Sequence, residues 1–136
     1  MGIINFTWRA GMGSFRKGGG GDNCSLEYVF KHVEKVSQTD GTIYLRKEDF
    51  ENEDFKGAGV LQVDMINGDY FMTLLYYEDD GELEVRDFTN KERAGEVINF
   101  NKEDWSGAFI CNDLSIVKEA CRQFIETGDV SQDILS

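Results

Sequence analysis

The chain has 136 residues, enough for one domain with a real core and too few for two. Forty per cent of its residues are apolar and 12% aromatic, with ten Phe, a composition that excludes a disordered chain. The 26 acidic side chains outnumber 14 basic ones, and the formal charge of −12 argues against direct nucleic-acid binding and for basic partners.

Cys24, Cys111 and Cys121 are odd in number and form no C-x-x-C pair, so neither a disulfide framework nor a cysteine zinc site is indicated. The chain starts without a basic segment leading into an apolar run, and no stretch reaches membrane-spanning length. Met1-Gly2 opens like a myristoylation signal, but Phe6 stands where that signal needs Ser or Thr. The expectation is a reducing, cytoplasmic home with no membrane contact.

In chain order, Ile3–Trp8 alternates β-branched and aromatic residues and predicts a strand. Gly11–Gly21 follows, and its many glycines predict a mobile surface loop, because ordering them costs backbone entropy. As a phosphate cradle it fails: Gly13 and Gly18 have P-loop spacing without the lysine and hydroxyl, and Arg16 stands where a dinucleotide fingerprint needs glycine. Asn23 or Ser25 then caps a helix carrying Leu26, Val29, Phe30, Val33 and Val36 on one face, ending in the polar run from Ser37 to Gly41. Thr42–Arg46 predicts a short strand, and Glu48–Phe55 an exposed acidic loop. A calcium loop starting at Asp49 fails, since Asp54 occupies the glycine position and Val60 that of the bidentate glutamate.

Val60–Phe88 predicts a three-stranded meander. Its first two strands meet at Asn67-Gly68, a dipeptide suited to a tight hairpin turn. Tyr70–Tyr77 is apolar at nearly every position and predicts an inner strand, and Leu83–Phe88 alternates like a more exposed neighbour. Val97–Phe100 predicts another short strand, and Trp105–Ile110 an edge segment loosened by Gly107. Asn112 or Asp113 caps a second helix with Leu114, Val117, Ala120, Cys121, Phe124 and Ile125 on one face and Gly128 as its stop. The tail beyond Asp129 has Val130 and Ile134 to tie it down. Together these elements predict a single α+β domain: a mainly antiparallel sheet built on a central meander, with two helices packed on one face.

Catalytic machinery is hard to assemble from this sequence. His32 is the single histidine and falls beside the apolar stripe of the first helix, at a half-exposed position without a G-x-S-x-G serine to activate. Carboxylates are plentiful, but a general acid needs burial to raise its pKa, and these cluster where turns are exposed. No metal or cofactor site is expected. The distribution of acids is the more informative feature. Glu48, Asp49, Glu51, Glu53 and Asp54, with Glu78, Asp79, Asp80, Glu82 and Glu84, place ten of the 26 in two seven-residue stretches. Brought to one end of a sheet, they would form a negative field that steers a basic partner.

The stretch Glu119-Ala120-Cys121-Arg122-Gln123-Phe124-Ile125-Glu126-Thr127-Gly128-Asp129 resembles the ending of the first-type immunity proteins of bacterial polymorphic toxin systems, including contact-dependent growth inhibition. The order of helix, strand and meander from about Ser25 to Asp129 is similar to that family as well. The resemblance implies a non-enzymatic protein, a monomer or weak dimer without cofactor, that binds and neutralises the C-terminal domain of one cognate toxin, such as a nuclease. It assigns no interface residue, so the ten acids remain the candidates from charge alone. Two alternatives stay open from the residues: an acidic nucleic-acid mimic that blocks a DNA-binding enzyme, and a small carboxylate-dependent enzyme.

Overall fold

A computed structural model describes residues 2–11 and 17–136. Among the described residues eight strands and two α-helices follow in the order β1 (Ile4–Ala10), β2 (Lys17–Asp22), α1 (Leu26–Thr39), β3 (Gly41–Lys47), β4 (Gly57–Ile66), β5 (Asp69–Tyr77), β6 (Leu83–Asp87), β7 (Val97–Phe100), β8 (Glu103–Ser106) and α2 (Leu114–Thr127). The first six strands form one antiparallel sheet in the order β2-β1-β3-β4-β5-β6, and β7 pairs with β8 in a second sheet. The fold is α+β, with the meander β4-β5-β6 forming half of the main sheet.

The hairpin between β4 and β5 turns at Asn67 and Gly68, with φ of 52° and 79°, the paired positive values that a tight turn between twisted strands needs. Alternation then sorts the side chains. Phe6, Trp8, Ile43, Leu45, Leu61, Val63, Met65, Met72 and Leu74 are buried on one face, against Val29, Val33 and Val36 of α1 and Val117, Ala120, Cys121 and Phe124 of α2. The helix ends follow capping chemistry: Tyr28 N donates to Ser25 Oγ at 3.1 Å, Ser115 N to Asp113 Oδ1 at 2.9 Å, and Gly128 closes α2 at φ 80°. Phe30, expected under the sheet, is only partly buried, with the Lys118 ammonium of α2 lying 5.9 Å over its ring.

Four sequence expectations are corrected. Within the Gly11–Gly21 stretch read as a loop, residues 12–16 lie outside the described residues, but Gly18–Gly21 belong to β2, paired residue for residue with β1. At Gly19 and Gly20 the glycine is there because a larger residue would crowd its neighbours. A Cβ on Gly19 would meet the Trp8 indole at 3.0 Å, and one on Gly20 would come within 1.9 Å of Phe6 O. Side-chain absence therefore offsets the entropy that argued for a loop. Next, Glu48–Phe55 exposes its acids as expected but is not loop throughout: Glu48–Glu51 makes a 3₁₀ turn, and Phe50 packs where Gly59 lacks a side chain, 2.0 Å from the position a Cβ would take. That packing sits at a register shift between Ala58 and Val60.

The third correction concerns residues 97–110. Val97–Phe100 and Glu103–Ser106 form a separate ribbon, and Gly107–Phe109 turns as 3₁₀ helix rather than running on as a strand. Gly107 is packed, not loose, since a Cβ there would lie 2.5 Å from Arg93 O. The ribbon covers β5 on its helix-free face: Trp105 and Phe100 stand 4.8 and 6.1 Å from the Phe71 ring. Finally, the tail is held by more than Val130 and Ile134. Leu135 is fully buried, and Asp87 and Ser136 exchange both backbone hydrogen bonds, at 3.3 and 3.1 Å.

Candidate functional site

Register places the two acidic stretches. Gly57 faces Tyr77, Tyr77 faces Leu83, and Ile4 faces Lys47, so β3 ends, β4 begins, β5 ends and β6 begins at the same end of the sheet. The segment 48–56 and the turn 78–82 both hang from that end. Phe50, Phe55 and Tyr77 join them from below, with ring centroids 5.5 to 6.3 Å apart. The Lys56 ammonium reaches across to lie 3.5 Å from where Gly81 would carry a Cβ.

The turn is held by hydrogen bonds within itself. Glu78 N donates to Glu82 O at 2.8 Å, Gly81 N to Glu78 O at 2.9 Å, and Glu82 N to Asp80 Oδ1 at 2.9 Å, with Gly81 at φ 88°. All ten candidate acids are exposed: Glu48, Asp49, Glu51, Glu53, Asp54, Glu78, Asp79, Asp80, Glu82 and Glu84. Among the described residues, the ion pair that any of them makes is Glu51 with Arg46, at 2.9 Å. A dense negative field therefore stands on an aromatic base, mostly unneutralised by neighbours. Lys47 lies beneath it, 5.7 Å from the Phe55 ring and 5.8 Å from that of Phe124, and burial pulls its pKa down.

Next to the acidic end runs β6, the last strand of the sheet. Leu83 and Val85 are 49% and 51% exposed, on the helix-free face. On the opposite face Tyr76, Glu78, Glu84, Arg86, Thr127 and Asp129 line a groove of about 600 Å³ between β6 and the C-terminal end of α2. Arg86 forms its floor rather than a free cation. Its guanidinium donates to Leu135 O at 2.9 and 2.8 Å, to Asp129 at 3.0 Å and to Val130 O, which ties the tail to the sheet. Nothing in the sequence marks this groove, because Arg86 and Asp129 are 43 residues apart and meet only when α2 docks.

His32 lies elsewhere, stacked 4.7 Å from Trp8 and 4.2 Å from Tyr28, with Nδ1 at 2.9 Å from Tyr28 O. It is half-buried, as its helix position implied. Among carboxyls, burial pushes Asp87 up, but its main chain is occupied by Ser136 and it does not line the groove. Among the described residues, no group of three or more His, Cys, Asp or Glu side chains is arranged to hold a metal ion. Nor is any helix among them long and apolar enough to cross a membrane.

With fold and surface described, comparison with known proteins places the chain. It belongs to a family of unknown function, DUF6911. The match covers residues 7–134 and so takes in both acidic stretches, β6 and the groove. No curated protein matches this DUF6911 chain. A crystal structure of a hypothetical protein from Neisseria gonorrhoeae superposes with a TM-score of 0.76, over 95% of the DUF6911 chain and 91% of the other, at 16% identity. At that identity the likeness is one of fold.

Proposed function

We propose that this DUF6911 protein is a cytoplasmic, non-catalytic immunity protein that captures a basic toxin domain on its acidic end and neutralises it by occupying its surface. The observation that carries this reading is the convergence of two acidic stretches at one end of the sheet, on a packed aromatic base and beside an exposed apolar edge. The resemblance of Glu119–Asp129 to first-type immunity proteins supports it independently. Concentrated like charge on a rigid support raises the association rate of an oppositely charged partner by about 10- to 1,000-fold, and the apolar edge supplies short-range contact once the partner arrives. Because Phe50 and Phe55 anchor the first stretch, its backbone meets the partner with a smaller ordering cost than a free loop.

The test pairs this protein with the C-terminal domain of its proposed cognate toxin. Changing Glu78, Asp79, Asp80 and Glu82 to their amides removes four charges at unchanged size. Association at low salt should slow by roughly tenfold, the difference closing towards 1 M salt as screening shortens to about 3 Å. The same exchange in Glu48, Asp49, Glu51, Glu53 and Asp54 should slow it comparably. Toxin inhibition should be complete at equimolar protein, as capture requires. Unchanged association rates at low salt, or inhibition at far below equimolar amounts, would overturn the reading.

A further inference from the structure

The open edge of β6 has a chemistry of its own. In an antiparallel pair, both polar groups of a residue point the same way, and successive residues alternate between the two sides. Asp87 N and O both bond Ser136, so Asp87 points away from β5. By the same alternation Leu83 and Val85 point their N–H and C=O outward too, while Glu84 and Arg86 bond back to β5. Among the described residues no hydrogen bond meets the outward groups of Leu83 or Val85.

Four backbone hydrogen-bonding groups thus stand in a row, just past the place where Ser136 already pairs with the same strand. The two faces of this edge differ. On the helix-free side are the half-exposed Leu83 and Val85, beside Tyr77. On the helix side are Glu84, Glu78 and Asp129 around the groove, with Tyr76 on its wall. The C-terminal carbonyls of α2 add negative potential there.

We infer that β6 takes up an extended segment of the basic partner as a seventh strand, with apolar residues over Leu83 and Val85 alternating with Lys or Arg residues reaching into the groove beside Glu84. This rests on the proposal that the partner is basic, and goes further by naming the binding mode and sequence pattern. Strand addition draws affinity from the main chain and specificity from alternate side chains, which is what the two unlike faces provide. A second copy of this protein is the poorer occupant. Symmetric pairing of two β6 edges across Leu83–Val85 would set Glu84 against Glu84 and crowd two acidic turns, and like charges directly opposite destabilise a strand pair.

The experiment titrates the full chain with terminally blocked nonapeptides. One alternates Arg and Val, one has the same composition in two blocks, and two carry the alternating sequence with N-methyl groups on every Val or on every Arg. The alternating peptide should bind about tenfold or more tightly than the block peptide, and should slow amide exchange at Leu83 and Val85. One of the two methylated peptides should lose binding, because all residues of one type share the edge that faces β6. Val85→Pro, which removes an outward N–H and no bond to β5, should weaken the alternating peptide by a similar factor. Should that variant fail to fold, the methylated peptides still decide. Equal binding of alternating and block peptides, or of both methylated ones, with the amides of Leu83 and Val85 exchanging freely, would overturn strand addition. If such pattern-blind binding still depends on Glu78, Asp79, Asp80 and Glu82, the acidic surface stands without it; if no peptide binds at low salt, both fall.

Discussion

Gly20→Ala tests whether the glycine strand is a structural requirement. The added methyl would lie 1.9 Å from Phe6 O and 2.9 Å from Phe6 C in the neighbouring strand. That is about 1.5 Å short of ordinary contact, a gap that side-chain rotation cannot open because both clashing atoms are backbone. Gly20 also has φ of 149°, which an L-residue rarely adopts, at a cost of about 1–3 kcal/mol. Overpacking adds a similar amount, but β2 is an edge strand and can peel from β1, which limits the total. The expected loss is about 2–4 kcal/mol, or a melting midpoint lower by roughly 10 °C in a domain of this size. Gly21→Ala is the control, since its Cβ would meet only Cys24 Sγ at 3.4 Å. Urea unfolding gives the energies, and near-UV circular dichroism follows Trp8, which lies on Gly19. Equal stabilities within about 0.5 kcal/mol would refute the claim that this strand is specified by the absence of side chains.

Two further outcomes follow from the core. Phe124 is fully buried beneath the sheet, and Phe124→Ala should cost about 3–5 kcal/mol in urea unfolding; an unchanged midpoint would mean that α2 is not docked as described. Burial pushes the Cys121 thiol up to about 12, above its unfolded value near 9. The unfolded chain then releases this proton first, so stability from this group is complete below about pH 9 and is lost as pH rises towards 12. Between pH 8 and 11 the protein should lose about 3 kcal/mol more than Cys121→Ala does, and parallel pH profiles would count against the burial.

Much of this protein is set by local sequence. Asn67-Gly68 has the positive φ values its turn needs, Ser25 and Asp113 cap their helices, Gly128 stops the second, and alternation in Val60–Phe88 orders the central meander. These are effects of neighbours a few residues apart, so a linear reading reaches them. The clustering of ten acids in two stretches is equally visible in the chain. That they share one end of the sheet is not, because strand register across β3, β4, β5 and β6 decides it. Tertiary packing also reversed several local preferences. Gly18–Gly21 became a strand, with Trp8 and the Phe6 carbonyl filling the space that side chains at Gly19 and Gly20 would need, and Glu48–Glu51 became an ordered turn because Phe50 found the gap at Gly59. The groove at Arg86 exists only once α2 and the tail dock, since it depends on contacts between Arg86, Asp129 and Leu135, and the open edge of β6 exists only once that strand pairs with β5. Interactions over such separations leave no periodic trace in a sequence, and only the folded chain brings them together.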